Sequence, residues 1–404
     1  MKTFAGASAV LVFCAALADA AVTIPIYKRD VPLPSPEQVG RRLAASAKTG
    51  SVVSVPAQDW IKHTADLQWY TKLKVGTPPQ EFNIILDTGS YDMFIASKDC
   101  KSCGKAARFD PTKSKTFGAE PGIPQSFGYD TGVDTSSLLQ KDASVSGIIV
   151  NDTIGVANLS VPAQQFLLCD EYPDFMQDVP MDGVMGMGPM RVSGLPSQLS
   201  WFWQLYSYEQ IKDPVVSFYY PPGRATGAEA TFGGTNPARY TGKFTQVYTG
   251  GAGQWEVPLS GLSLNGKTFQ IPSATTVLDT GTPFFTADAN TTKAIYASIS
   301  SKIKPLDDGG SWGAPCDIID SLAVDMTFKL GSKKYTFDAT VPKEAFNLGP
   351  YEGQPGMCQA VFSSLSHGSN SKHSVFILGA PLLSRYYTTW DGLNNSIGFA
   401  TLVL

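Results

Sequence analysis

The stretch Ile84-Ile85-Leu86-Asp87-Thr88-Gly89-Ser90 decides the fold, because its pattern returns as Thr276-Val277-Leu278-Asp279-Thr280-Gly281-Thr282. In each copy an apolar run typical of a buried strand ends at an aspartate, which is followed by a Thr-Gly turn. The two aspartates, Asp87 and Asp279, lie 192 residues apart (279 − 87). A repeat at this distance predicts two homologous lobes in one chain.

A second pair of landmarks follows the two aspartates at nearly equal spacing. Val184-Met185-Gly186 ends 99 residues after Asp87, and Ile377-Leu378-Gly379 ends 100 residues after Asp279. Only 16% of the residues are charged, whereas Gly (38) and Pro (28) are plentiful, which favours short strands joined by turns. We therefore predict an all-β, bilobal fold, with an N-terminal lobe over 61–240 and a C-terminal lobe over 241–404.

A third Asp-Thr-Gly, at 130–132, does not fit this repeat. Val133 follows it where the other two copies have Ser90 and Thr282, and no apolar strand precedes it. We interpret it as the tip of a hairpin.

Two aspartates on facing turns have a specific chemistry. Glycine allows a tight turn and a close approach, and the Thr and Ser hydroxyls can donate hydrogen bonds to a carboxylate. Two carboxylates held close together cannot both ionise, so they share one proton. Such a pair can act as base and acid together, removing a proton from a bridging water while polarising a carbonyl group.

The chain resembles the pepsin-like aspartic proteases, in particular their secreted fungal type, over nearly all its length after residue 20. Apart from the two Asp-Thr-Gly turns and the apolar runs that follow them, the landmarks are Gly76-Thr-Pro-Pro-Gln80, Ser126-Phe-Gly-Tyr-Asp-Thr-Gly132, Gly233-Gly-Thr-Asn-Pro-Ala-Arg-Tyr-Thr-Gly242, Arg385-Tyr-Tyr-Thr388 and Asn395-Ser-Ile-Gly-Phe-Ala400. The resemblance implies a bilobal β fold with a central cleft that holds an extended peptide.

The same resemblance implies roles for individual residues. It makes Asp87 and Asp279 the catalytic pair, supported by the residues that follow them in each turn, namely Thr88, Ser90, Thr280 and Thr282. Substrate contacts fall on Gly89, Gly281 and a flap with Tyr129, Asp130 and Thr131. The pocket before the scissile bond corresponds to Ile85, Phe175, Met181 and Val184, for which ordinary core packing is the alternative. The chain departs from the family at three positions, which are Phe94 (usually Trp), Asp130 (usually Gly) and Ala380 (often acidic).

The N-terminal region differs in composition from the rest of the chain. Residues 1–20 have one charge, Lys2, before an apolar run, and end in Ala18-Asp19-Ala20, which predicts a secretory signal peptide. We predict a basic propeptide over 21–60, with an uncertain end, that docks on an acidic cleft. The alternative for this segment is an unstructured tail.

The cysteines also favour export. Of six, Cys14 leaves with the signal. In an oxidising compartment we expect the bridges Cys100–Cys103 and Cys316–Cys358, with Cys169 left as a buried thiol. A redox-active Cys100-Lys-Ser-Cys103 is the alternative for the first pair. Four glycosylation acceptors, at Asn151, Asn158, Asn290 and Asn394, fit the same route.

These observations predict a secreted aspartic endopeptidase that is made as a zymogen and acts at acid pH. The alternative is a catalytically inactive binding or inhibitor protein of the same fold, and vacuolar residence is the alternative to secretion. The three histidines, His63, His367 and His373, show no metal-ligand spacing, and no Gly-x-Ser-x-Gly motif indicates a serine hydrolase. We expect a monomer with no cofactor or metal, and a net charge of −4 gives no reason to expect nucleic acid or membranes as partners.

Overall fold

Strands make up most of the described chain, which confirms the β-rich class predicted from composition. The computed structural model describes residues 50–62, 65–119, 122–128, 144–189, 199–250, 254–271, 273–365 and 373–404. The signal segment, most of the leader and the residues 129–143 lie outside these ranges. Within them, no helix is long and apolar enough to cross a membrane.

The first part of the chain is built from eleven described strands and one described α-helix. They are β1 (Val53–Lys62), β2 (Ala65–Val75), β3 (Gln80–Asp87), β4 (Met93–Ala96), β5 (Pro124–Gly128), β6 (Ser144–Val156), β7 (Leu159–Glu171), β8 (Gly183–Gly186), α1 (Trp201–Ser207), β9 (Val215–Tyr219), β10 (Thr226–Phe232) and β11 (Tyr240–Tyr248).

The second part has fourteen described strands and three described α-helices. They are β12 (Glu256–Leu264), β13 (Lys267–Phe269), β14 (Ser273–Leu278), β15 (Phe285–Asp288), α2 (Ala289–Ile299), β16 (Lys304–Pro305), β17 (Trp312–Pro315), α3 (Ile319–Leu322), β18 (Met326–Ser332), β19 (Tyr335–Val341), β20 (Asn347–Pro350), β21 (Met357–Ala360), β22 (Phe362–Leu365), β23 (His373–Leu378), α4 (Ala380–Leu383), β24 (Tyr386–Asp391) and β25 (Ser396–Leu402).

Three sheets divide these strands by sequence region. A thirteen-stranded sheet runs β11-β25-β24-β9-β10-β1-β2-β3-β8-β4-β7-β6-β5, so the last two strands of the chain join the strands of its first part. An eight-stranded sheet, β19-β18-β12-β14-β23-β15-β22 with β13 beside β12, and a four-stranded sheet, β16-β17-β21-β20, contain only strands of the second part. The change of sheet falls between β11 and β12.

Strand β1 occupies a central place in the large sheet. It pairs antiparallel with β10 on one side and with β2 on the other. Val55, Ala57 and Asp59 are buried while the residues between them are exposed, an alternation typical of a strand with one face on the core. Residues 53–60, which the sequence analysis placed in the leader, therefore form an interior strand of this sheet.

Both expected disulfides are present. Cys100 and Cys103 are bonded, as are Cys316 and Cys358, while Cys169 is a buried free thiol. The larger bridge spans 42 positions in sequence, and closing a loop of this length in the unfolded chain is worth about 4 kcal/mol in the chain-entropy model.

Candidate active site

The two repeated turns have the same local geometry. Strand β3 ends at Asp87 and pairs in parallel with β8, where Asp87 lies opposite Gly186. Strand β14 leads to Asp279 and pairs in parallel with β23, where Leu278 lies opposite Leu378. The apolar-apolar-Gly runs found in the sequence are therefore the parallel partners of the strands that carry the aspartates. Each aspartate is fixed at the end of a buried parallel pair.

The two carboxylates lie side by side. The backbone N–H of Gly89 donates to Asp87 Oδ1 at 2.8 Å and also to Asp279 Oδ1 at 3.1 Å. Gly281 N donates to Asp279 Oδ1 at 2.7 Å. One N–H that reaches both inner oxygens requires the carboxyl groups to be in immediate contact.

The outer oxygens are held in matching ways. Ser90 Oγ donates to Asp87 Oδ2 and Thr282 Oγ1 donates to Asp279 Oδ2, both at 2.5 Å. Hydrogen bonds to an ionised carboxylate are short and strong. The fourth residue of each turn therefore fixes the orientation of its aspartate.

Glycine is required in both turns because the opposite carboxylate lies too close for a side chain. A Cβ on Gly89 would stand 2.5 Å from Asp279 Cγ, and a Cβ on Gly281 would stand 2.4 Å from Asp87 Oδ1. A contact below 3.0 Å forces one of the two groups to move. Each glycine thus approaches the aspartate of the other turn.

Two buried threonines cross between the turns. Thr88 N donates to Thr280 Oγ1 at 3.0 Å, and Thr280 N donates to Thr88 Oγ1 at 2.9 Å. Each hydroxyl also donates onward to a carbonyl of the opposite strand, Thr88 to Leu278 O at 3.1 Å and Thr280 to Leu86 O at 2.6 Å. This reciprocal network locks the two turns in a fixed register, since both N–H groups and both hydroxyls of the buried pair have partners in the other half of the chain.

The environment of Asp87 favours its protonated form. Burial, followed by the charge of Asp279 and the hydrogen bond with it, raises the pKa of Asp87 well above its usual range, and donation from Ser90 and Gly89 opposes this only partly. Each aspartate exposes 6% of its surface. A pair in which one carboxyl keeps its proton can supply an acid and a base at the same point.

The predicted pocket residues form part of one apolar cluster. Ile85, Met181 and Val184 are buried with Phe94 and Tyr172 in a core that is separate from the main one. Three half-buried aromatic residues pack on this cluster, namely Trp60, Tyr70 and Phe127. The side chain of Phe175 and the flap residues Tyr129, Asp130 and Thr131 lie outside the described residues.

Two of the departures from the resembled family can be placed. Phe94 is fully buried, and its ring meets Tyr172 edge to face at 5.5 Å between centroids. Ala380 is also buried, and its N–H donates to Thr282 O at 2.8 Å. This backbone contact keeps α4 attached to the second turn although position 380 has no carboxylate.

Sequence reasoning missed one residue that touches the second turn. Gln68 Nε2, from β2, donates to Gly281 O at 2.5 Å. The only signal for it in the sequence is a polar amide between the core residues Leu67 and Trp69.

Comparison with known proteins gives a consistent result. The model of the family described as eukaryotic aspartyl protease matches residues 68–402. The chain is 28% identical to pepsin-2B of Gadus morhua over 343 residues, which are 84% of this chain and 98% of that protein. It is 30% identical to cathepsin D of Gallus gallus over 356 residues (86% and 84%), and 28% identical to renin-2 of Mus musculus over 340 residues (82% and 79%).

Proposed function

Because the chain belongs to the eukaryotic aspartyl protease family, we propose that it is an active endopeptidase that hydrolyses peptide bonds at acid pH. The observation that carries this proposal is the Gly89 N–H shared by the two carboxylates. It holds Asp87 and Asp279 close enough to share one proton, and both turns of the pair are intact. Proton sharing of this kind is a known property of aspartic protease pairs.

The proposed mechanism needs only the carboxyl pair and water. The ionised member takes a proton from a water held between Asp87 and Asp279, and the resulting nucleophile attacks the peptide carbonyl carbon. The protonated member donates to the carbonyl oxygen, where negative charge develops, and a tetrahedral diol forms. The C–N bond then breaks as the carboxyl that took the proton from water gives it to the leaving amine, and a diol proton returns to the other carboxylate. Ser90 and Thr282 keep the carboxylates aligned, and the crossed threonines keep the distance between them constant.

We predict a bell-shaped pH profile of kcat/KM that is confined mainly to acid pH. The reaction needs one proton on the pair, so activity falls when both carboxyls are protonated and again when both ionise. Because the pKa of Asp87 is raised, the loss of activity on ionisation of both carboxyls should occur above the pH range in which an aspartate usually titrates. The profile is measured with a quenched fluorescent peptide library.

A peptide analogue with a hydroxyl in place of the attacking water should block this activity. Full activity at about pH 8, or insensitivity to the analogue together with inhibition by a chelator, would contradict the proposal. The alternative function, an inactive binding or inhibitor protein, predicts that the analogue binds while no peptide is cleaved at any pH.

The substrate proposed is an extended peptide or protein segment. The carbonyls of Gly89 and Gly281 would bind its backbone, and the flap residues Tyr129, Asp130 and Thr131 would close over it. Ile85, Phe175, Met181 and Val184 would lie next to the side chain before the scissile bond. We propose that the protein acts as a monomer without cofactor or metal.

We propose that the protein is exported as a zymogen of the secreted fungal type, with vacuolar residence as the alternative. The two disulfides support a compartment outside the cytosol, because disulfides persist under oxidising conditions. Residues 1–20 would be removed as a signal. Because β1 pairs on both sides, we propose that the propeptide ends before Val53, earlier than position 60.

Glycan mapping tests export and discriminates among the four acceptor sites. Asn158, in the exposed turn between β6 and β7, and Asn290, exposed in the first turn of α2, should carry glycans. Asn151 should carry none, because it lies half-buried within β6. Asn394 is exposed, but its amide already donates to Asp391 at 2.6 Å, so we expect lower occupancy there.

The measurement is mass spectrometry after enzymatic deglycosylation in heavy-oxygen water. A secreted product without any glycan would leave the export proposal without this support. A fully occupied Asn151 would contradict the structural reasoning, whatever the compartment.

A further inference from the structure

Gln68 lies on the face of strand β2 opposite to that of Leu67 and Trp69. Successive side chains of a strand point to opposite faces, and the flanking Leu67 and Trp69 are buried in the main core. Gln68 therefore shares its face with Tyr70, which packs on the apolar cluster beside the candidate site, and it lies opposite Trp60 of β1 in register. Its exposed fraction is 0%.

The amide of Gln68 connects this strand to the second turn. Its Nε2 donates to Gly281 O at 2.5 Å across 213 positions of sequence. The same residue, Gly281, donates its own N–H to Asp279 Oδ1 at 2.7 Å. A single glycine thus joins Gln68 on its carbonyl side to Asp279 on its amide side.

Burial of Gln68 at this position lowers the free energy of unfolding, which argues against a purely structural role for this residue. Gln68 Oε1 is buried and has no hydrogen-bond donor in the described part of the chain. A buried acceptor without a partner destabilises a fold, and an apolar side chain of similar length would avoid this cost. What the amide provides instead is the one contact to Gly281.

We propose that Gln68 is a positioning residue, which holds the Gly281 carbonyl and through this glycine the orientation of the Asp279 carboxylate. The proposal rests on the proposed peptidase function. A carbonyl oxygen has two lone pairs, so Gln68 occupies one of them and leaves the other for the backbone N–H of a bound peptide.

Two variants of nearly equal length test this role. Gln68→Met removes the donor at every pH, so we expect kcat per active site to fall about threefold to tenfold, the effect of one lost hydrogen bond. Gln68→Glu introduces a carboxyl that donates while protonated and repels the carbonyl once ionised. Its kcat should be within about twofold of the wild type at about pH 3. It should fall towards the Gln68→Met level only once the buried carboxyl ionises, which burial shifts above the ordinary glutamate pKa of about 4.3.

Active-site concentration is titrated with the hydroxyl-containing peptide analogue, so that unfolded protein does not enter kcat. Gln210→Met is the matched control, because Gln210 binds both backbone groups of Ser160 away from the site. It should lower Tm and leave kcat and the pH profile unchanged. The proposal is overturned if Gln68→Met behaves like this control, or if Gln68→Glu at about pH 3 loses as much kcat as Gln68→Met does. A wild type inactive at every pH would instead contradict the proposed function.

Discussion

Asp87→Asn and Asp279→Asn should each lower kcat by about 10²–10⁴-fold or more, the usual contribution of general acid–base catalysis. An amide cannot take a proton from water or share one with its neighbour, so either change leaves one carboxyl without its counterpart. The side chain keeps its size and its oxygen, so Ser90 or Thr282 can still donate to it. Initial rates on a fluorescent peptide at acid pH measure the effect.

The loss of activity is informative only if both variants keep the wild-type fold. Both variants should be exported, retain the wild-type circular dichroism spectrum and keep the crossed contacts of Thr88 and Thr280, which do not involve the carboxylates. Asp178→Asn, at an exposed carboxylate paired with Lys105, should leave kcat unchanged. If either active-site variant retained most of the wild-type kcat, the assignment of the catalytic pair would be wrong.

Much of this architecture was predictable from the repeat. An apolar strand before each Asp-Thr-Gly and an apolar-apolar-Gly run about a hundred residues later were visible in the sequence, and they became the parallel pairs β3–β8 and β14–β23. Repeated motifs carry this information because each half must bury the same strand pair. Both disulfide pairs predicted from the sequence are present in the structure.

Strand β1 has a pairing that the sequence alone does not reveal. The segment contains Pro56 and the charged residues Asp59 and Lys62, so its sequence alone does not identify it as an interior strand. Its partner β10 begins at Thr226, far away along the chain, and no local pattern encodes that pairing. Strand formation depends on which partner is available, so tertiary context decided the outcome.

Gln68 was missed for a related reason. Periodicity identifies which residues face a core, but it does not identify the atom that a buried amide will meet. The contact with Gly281 depends on how strands from two sheets approach each other. Residues next to the aspartates in sequence were predictable as support, whereas a supporting residue from the other part of the chain was not.

A buried carboxyl outside the site gives the second large effect. Asp59, on β1, exposes 6% of its surface, and neither carboxylate oxygen has a donor within the described residues. Burial first, and then the neighbouring carboxylate of Asp66, raise the pKa of Asp59 to about 9. Asp66 itself accepts from Gly223 N. The other titratable groups near this pair are Tyr70, Tyr220 and Arg385.

The direction of the stability change follows from linkage. The folded pKa of Asp59 lies above its ordinary value of 3.8, so the folded protein binds more protons than the unfolded chain. This contribution to the free energy of unfolding is complete below about pH 3.8 and is lost as pH rises towards about 9, by about 1.4 kcal/mol per pH unit. The free energy of unfolding of the wild type should therefore be higher in the acid range proposed for its activity than near neutral pH.

Asp59→Asn should remove this loss, because an amide remains neutral at every pH and can donate to Asp66 as the protonated carboxyl of Asp59 does. We expect equal stability at about pH 4 and a gain of roughly 2–4 kcal/mol for the variant at about pH 7, as an upper range from the pKa difference. Urea unfolding at several pH values measures this difference in stability, with the exposed Asp178→Asn as the matched control.

Parallel stability curves for Asp59→Asn and the wild type between these pH values would show that Asp59 ionises normally in the folded protein. A variant less stable than the wild type at every pH would show that Asp59 contributes as a charged partner of a neighbouring cation. If folding keeps the Asp59 carboxyl protonated, the variant should be more stable than the wild type only above about pH 4. Neither of the other two outcomes has this pH dependence.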